Sequence, residues 1–236
     1  MKILEIYEKY QIMPQLQEHQ LRVAGVAGVI CENFNPLPIR LSLRAGSNPP
    51  HKGEGTASID GMNIVKACLL HDMGNILKFD LKKSHIFLKK EIDVEFWEKV
   101  KEEYREKYGS DEHQASLEIA KEIGVSQRVL ELIDCIEFSK VEENLNSTDF
   151  GKKICEYSDD RVGFLGVMSM EERFADLRAR YAHRHTQWGA EEARQKFETS
   201  VREIEKQIFI HCNIKPEDIT ETLILVTKKK LTDLEI

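Results

Sequence analysis

The chain has 236 residues and a formal net charge of −7, enough length for one ample domain or a domain with an appendage. The acidic balance argues against an extended nucleic-acid surface, which needs a positive field, but leaves room for a small basic pocket around one phosphorylated ligand. No apolar stretch approaches the roughly 20 residues that span a bilayer, and the first ten residues carry acids where a signal peptide has an apolar core. The expected location is therefore cytoplasmic, with no membrane partner. The five cysteines, at 31, 68, 135, 155 and 212, form no CxxC and fit reduced structural thiols better than a disulfide frame.

Taken in order, residues 1–13 read as a short helix, with Ile3, Ile6, Tyr7 and Tyr10 at helical spacing. Pro14 opens a second helix reaching to about Cys31. Leu16, His19, Val23, Val26, Ala27 and Ile30 share one face of it, so His19 points coreward as a structural residue or a ligand. Arg22, three residues on, leans towards whatever His19 faces. Residues 33–60 lose periodicity among Pro and Gly, and the segment 36–60 reads as an irregular insert.

A buried helix follows over 61–71, ending Leu69-Leu70-His71-Asp72-Met73-Gly74. A histidine and a carboxylate at the end of so apolar a run face a desolvation cost unless something binds them, and a divalent metal would. Gly74 is expected to let the backbone turn. Residues 76–90 are mixed; 91–108 form a charged helix that Gly109 ends. Further helices are expected at about 112–123, with His113 in the first turn, and at 127–138, followed by a polar loop over 139–148.

The helix from about 149 to 166 puts Cys155, Ser158, Asp159 and Val162 on one face, so that Asp159 points inward and Asp160 away. Arg161 or a metal is the expected partner of Asp159. Ser169 caps a helix carrying Arg173, Arg178 and Arg180, either a solvated flank or a phosphate clamp. A long amphipathic helix over 190–211 and a short helical tail from Pro216 complete the chain. Leu223-Ile224-Leu225-Val226 is the one β-like run, and it can equally continue a helix. The fold class is all-α.

His19, the His71–Asp72 pair and Asp159 thus lie on three helices and make an N/O set without thiolate. At this point the sequence resembles the HD-domain superfamily of all-α metal-dependent phosphohydrolases, with its H…HD…D motif. The resemblance rests on Glu18-His19-Gln20-Leu21-Arg22, on Leu70-His71-Asp72-Met73-Gly74 and on Tyr157-Ser158-Asp159-Asp160. It implies an HD-domain helical bundle over 1–166, interrupted by the insert, with a C-terminal helical extension over 167–236 packed on it.

The resemblance further implies His19, His71, Asp72 and Asp159 as ligands of one divalent ion per chain, Mn, Fe, Co, Mg or Zn. Asp72 would also orient the attacking water, and Arg22 would bind a phosphate of a small, nucleotide-like substrate; the clamp reading of the later basic helix adds Arg173 and Arg178 to that role. Asn75 follows Gly74 where many catalytic relatives have lysine, which leaves His113 as the candidate proton donor or second-metal ligand and His85 as a weaker one. A non-catalytic nucleotide-binding module and a di-iron HD oxygenase are the alternatives; residues 125–150 contain no further histidine, which counts against two metals. The oligomeric state is open, a homodimer included.

Overall fold

The computed structural model describes residues 1–35, 59–81, 92–163, 166–181 and 190–236. Nearly all of the expected insert, most of the mixed stretch and His85 lie outside those residues. The described residues form eleven α-helices and one two-stranded hairpin, which agrees with the all-α reading. No described helix is long and apolar enough to cross a membrane. All five cysteines are free.

The centre of the bundle is α3 (Gly61–Leu70), with α2 (Pro14–Asn33), α6 (Gln127–Asp134) and α8 (Phe150–Asp160) packed around it. Ile64, Ala67, Cys68, Leu69 and Leu70 are fully buried, because a helix apolar on most sides is stable only with neighbours on most sides. Asp60 caps its start by accepting the Asn63 N–H at 3.2 Å. Tyr7, on α1 (Ile3–Lys9), donates its hydroxyl to the Leu69 carbonyl at 2.8 Å and so satisfies the helix end that carries the His-Asp pair.

α4 (Val94–Tyr108) and α5 (Glu112–Ile123) follow the expected boundaries, both stopped by glycines with positive φ. The expected helix over 127–138 ends early, at Asp134, where Lys140 donates to the freed carbonyl at 2.9 Å. The expected loop over 139–148 is instead a 3-10 turn, Phe138–Lys140, and a short helix α7, Val141–Asn146. Its anchor is polar: Asn144, fully buried, donates to the Cys135 carbonyl at 2.8 Å and to Glu156 Oε2 at 3.0 Å. Val141 and Leu145, four residues apart, pack inward beside it, but two apolar residues in so short a helix are too few for periodicity to find.

α8 also stops short of 166. Arg161, almost fully buried, donates to the carbonyls of Met168, Pro216 and Ile219 and to the Tyr157 hydroxyl. It therefore fixes the chain as it leaves the helix, and it is not the partner of Asp159. Strands β1 (Val162–Gly163) and β2 (Gly166–Val167) pair antiparallel just after it. Beyond them come α9 (Met170–Tyr181), α10 (Glu191–Phe209) and α11 (Glu221–Leu231). The β-like run at 223–226 is helical within α11, whose buried Ile224 sits against Gly25 of α2, where a Cβ would meet its Cγ2 at 2.9 Å.

Asp149 begins α8 and works twice. It accepts the Gly151 N–H at 2.9 Å and forks with Arg128 at 2.7 and 2.8 Å. Burial would raise its pKa, but the Arg128 guanidinium outweighs that and holds the carboxyl below its usual range. A depressed carboxylate stabilises the fold above its unfolded pKa and loses that contribution as pH falls below about 4. Asp149→Ala is expected to lower stability by about 1–3 kcal/mol at pH 7. Urea melts of the variant and parent should converge as the pH is taken below 4.

Candidate metal centre

α2, the end of α3 and the end of α8 deliver His19, the His71–Asp72 pair and Asp159 to one point. His19 Nε2 lies 2.9 Å from Asp159 Oδ1 and 3.5 Å from Asp72 Oδ2. His71 Nε2 lies 3.3 Å from Asp159 Oδ1 and 3.6 Å from Asp72 Oδ1. Ligand atoms of His19, His71 and Asp159 all fall within 4.8 Å of one another, close enough to share an ion. Asp72 borders this trio and is steadied from behind by Gln20, whose Oε1 accepts the Asp72 N–H at 3.3 Å.

The tautomer of His71 follows from its other nitrogen. Nδ1 lies 2.9 Å from the Cys68 carbonyl, which can only accept, so Nδ1 carries the hydrogen. In the neutral ring Nε2 then presents a lone pair to two carboxylates. That buried atom has no hydrogen-bond partner among the described residues. A lone pair facing carboxylate oxygens is repelled unless a cation or proton stands between them. Burial pulls the His71 pKa down, yet Asp72, Asp159 and the Cys68 carbonyl outweigh it and raise it to about 9. Asp159 shows the reciprocal effect. Burial opposes its ionisation, but both imidazoles hold it well below the ordinary aspartate value. Two imidazoles pressed against two carboxylates make a donor set that favours a shared positive charge. Two imidazoles and two carboxylates without thiolate suit a divalent ion of the Mn, Fe, Co, Mg or Zn kind.

Gly74 has φ −90° and ψ −2°, a conformation open to any residue. The expectation that it permits the turn is therefore corrected: the constraint is steric. A Cβ there would meet the Glu112 carbonyl oxygen at 2.3 Å, the Ala115 Cβ at 2.7 Å and the Ser116 nitrogen at 2.9 Å. Its N–H donates to Ser116 Oγ at 2.9 Å. Glycine lets α5 press onto the turn that holds the pair.

The centre opens into a cavity of about 830 Å³ that also takes in Arg22, His113, Glu156, Asp160, Arg173 and Arg180. Arg22 gives Nε to Glu221 at 2.8 Å and Nη1 to Glu18 at 3.1 Å. His113 Nε2 lies 3.6 Å from Asp134 Oδ1, outside the ligand trio. Arg173 lines the cavity, but Arg178 does not: it pairs on its Nε with Glu198 Oε1 at 2.7 Å. The structure thus replaces Arg178 by Arg180 on the cavity wall, since positions 173 and 180 share a helix face that 178 leaves.

Asp160 is a second correction. Expected to point away, it is buried on the cavity wall, with Oδ2 unpartnered among the described residues. Burial raises its pKa, Arg173 works against that and Asp159 adds to it, leaving it at about 8. Glu156 is likewise pushed well above the usual range, by burial first and then by Asp160 and other neighbours. The sequence reading missed Glu156, although its spacing of three from Asp159 puts it on the same helix face. Asp160 left no such signal, because the face it joins is set by where α8 ends.

Among known proteins, the model of the HD domain family matches residues 16–159. No curated protein and no solved structure matches the chain. HD domains bind divalent metals and suggest the metal-dependent phosphohydrolase superfamily, and the His19–His71–Asp159 cluster fits such an ion. A match over more than half of the chain, spanning the residues that converge on that cluster, settles its kinship: the chain belongs to the HD-domain family.

Proposed function

We propose that the protein is a metal-dependent phosphohydrolase acting on a small phosphorylated, nucleotide-like substrate. The observation that carries this is the unpartnered Nε2 of His71, facing two carboxylates at the inner end of a roomy cavity. His19, His71, Asp72 and Asp159 would hold one ion. Such an ion supplies a water acidified towards neutrality and a Lewis acid for the phosphoryl oxygen.

The remaining work falls to side chains. Asp72, at the border of the trio, also accepts a hydrogen bond from the attacking water and orients it. Arg22 has Nε and Nη1 taken by carboxylates, so its Nη2 edge is what remains to receive a phosphate oxygen and offset charge developing in transfer. His113, on the cavity wall, donates a proton to the departing oxygen. It sits beside Asp134, whose Oδ1 lies 3.6 Å from its Nε2.

A panel of nucleotides and phosphomonoesters, assayed with Mn²⁺, Co²⁺, Mg²⁺ and Fe²⁺ in turn, tests the reading; turnover of none of them with any ion would overturn it. His113→Ala is expected to lower kcat on the order of 10²–10⁴-fold for an alkyl phosphate. A good leaving group such as p-nitrophenolate should be affected much less. Equal losses on both would remove the proton-donor role.

A further inference from the structure

The cavity has a second charged wall, on a different helix from the metal ligands. α9 brings Arg173 and Arg180 to it, seven residues apart on one helix face. Asp176 lies between them, and its Oδ2 accepts from both, at 3.4 Å from Arg173 Nη1 and 2.6 Å from Arg180 Nη2. One carboxylate therefore gathers two guanidiniums into a single cluster. The Arg173 contact is at the weak limit of a hydrogen bond. Its Nε is buried and has no partner among the described residues. Asp160 is close enough to feel the Arg173 charge, yet no hydrogen bond joins them among the described residues.

A buried guanidinium edge without an acceptor is unfavourable, and an incoming oxyanion would relieve it. The fork geometry of arginine suits a tetrahedral or planar oxyanion. The cavity's 830 Å³ also exceeds what one phosphoryl group and its ion occupy, and lies in the range of sites that enclose a whole small ligand. Phe138 and Phe197, with ring centroids 4.6 Å apart, line it too and offer an apolar surface for a ligand's body.

We propose that Arg173 and Arg180 form a second oxyanion subsite, so that the substrate is two-ended: a phosphoester at the histidine–carboxylate centre and a further oxyanion group held by α9. This rests on the phosphohydrolase reading only for what happens at the metal end. The two subsites accept one ligand at once only if its charged groups are separated by a suitable length. A chain-length optimum is therefore part of the inference.

The test uses α,ω-alkane bisphosphonates of graded length, whose C–P bonds are not hydrolysed, against alkyl monophosphonates. Binding to the full chain with added Mn²⁺ is measured by calorimetry. One chain length is expected to bind on the order of tenfold or more tighter than its monophosphonate. Arg173→Met and Arg180→Met should each remove most of that gain, while Arg178→Met keeps it. ω-Phosphonocarboxylates of the same lengths show whether the α9 end takes carboxylate as well as phosphonate. No preference for any bisphosphonate would overturn the proposal without any variant having to fold, and so would a preference that survives the Arg173→Met, Arg180→Met double substitution. Failure of the metal reading looks different: Mn²⁺ would not bind, yet monophosphonate binding would remain and depend on Arg173.

Discussion

Asp159→Asn is expected to strip the bound divalent ion and to reduce kcat/KM towards any phosphoester substrate by about 10³-fold or more. Its Oδ1 is the one oxygen that approaches both imidazoles, at 2.9 Å from His19 and 3.3 Å from His71. Replacing it with an amide removes a negative charge from the donor set while keeping size and hydrogen-bonding capacity. The fold should survive, since the surrounding α8 residues Ile154, Cys155, Tyr157 and Ser158 are fully buried and untouched. Metal analysis of the purified variant, beside its circular-dichroism melt, checks this. Asp72→Ala should lose the ion as well; full metal content in either variant would contradict the assigned site.

Gly74→Ala should be the most damaging single-methyl change near the centre. The added Cβ would overlap backbone atoms of α5, the Glu112 oxygen at 2.3 Å and the Ser116 nitrogen at 2.9 Å, and helix backbone cannot rotate aside. Overpacking of this kind destabilises by about 1–3 kcal/mol. Because Gly74 lies two residues from Asp72, separation of the turn from α5 should also weaken metal affinity. Ser116→Ala removes the 2.9 Å hydrogen bond from Gly74 N–H and the 3.0 Å one that Ser116 Oγ donates to the Glu112 carbonyl, an effect of about 1–2 kcal/mol, and should leave the metal in place. Parental melting behaviour in Gly74→Ala would show that α5 does not approach the turn as closely as described.

How much of this was legible in the sequence differs by kind of residue. His19 and Asp159 could be placed because each sits inside a helix whose apolar face is plain, so 3.6-residue spacing decides which way it points. The His71–Asp72 pair was legible because its helix is apolar on most sides and then ends in two polar groups. α7 was not legible, since a buried asparagine and only two inward apolar residues, Val141 and Leu145, hold so short a helix. The early end of α8 depends on Arg161 reaching carbonyls at 168, 216 and 219, which spacing cannot foresee. Asp160 reaches the cavity for the same reason: what a helix end faces is decided by elements far along the chain. Arg180 in place of Arg178 is a smaller case. The basic run was visible, but which face of α9 meets the cavity was not.

All of these expectations rest on two imidazoles and two carboxylates surrounding one cation. Pulsed electron paramagnetic resonance on Mn²⁺-loaded protein counts the coordinated imidazole nitrogens directly. Two histidine nitrogens are predicted in the parent, and one in each of His19→Gln and His71→Gln. A spectrum with no imidazole coupling, or one that neither substitution changes, would contradict the account.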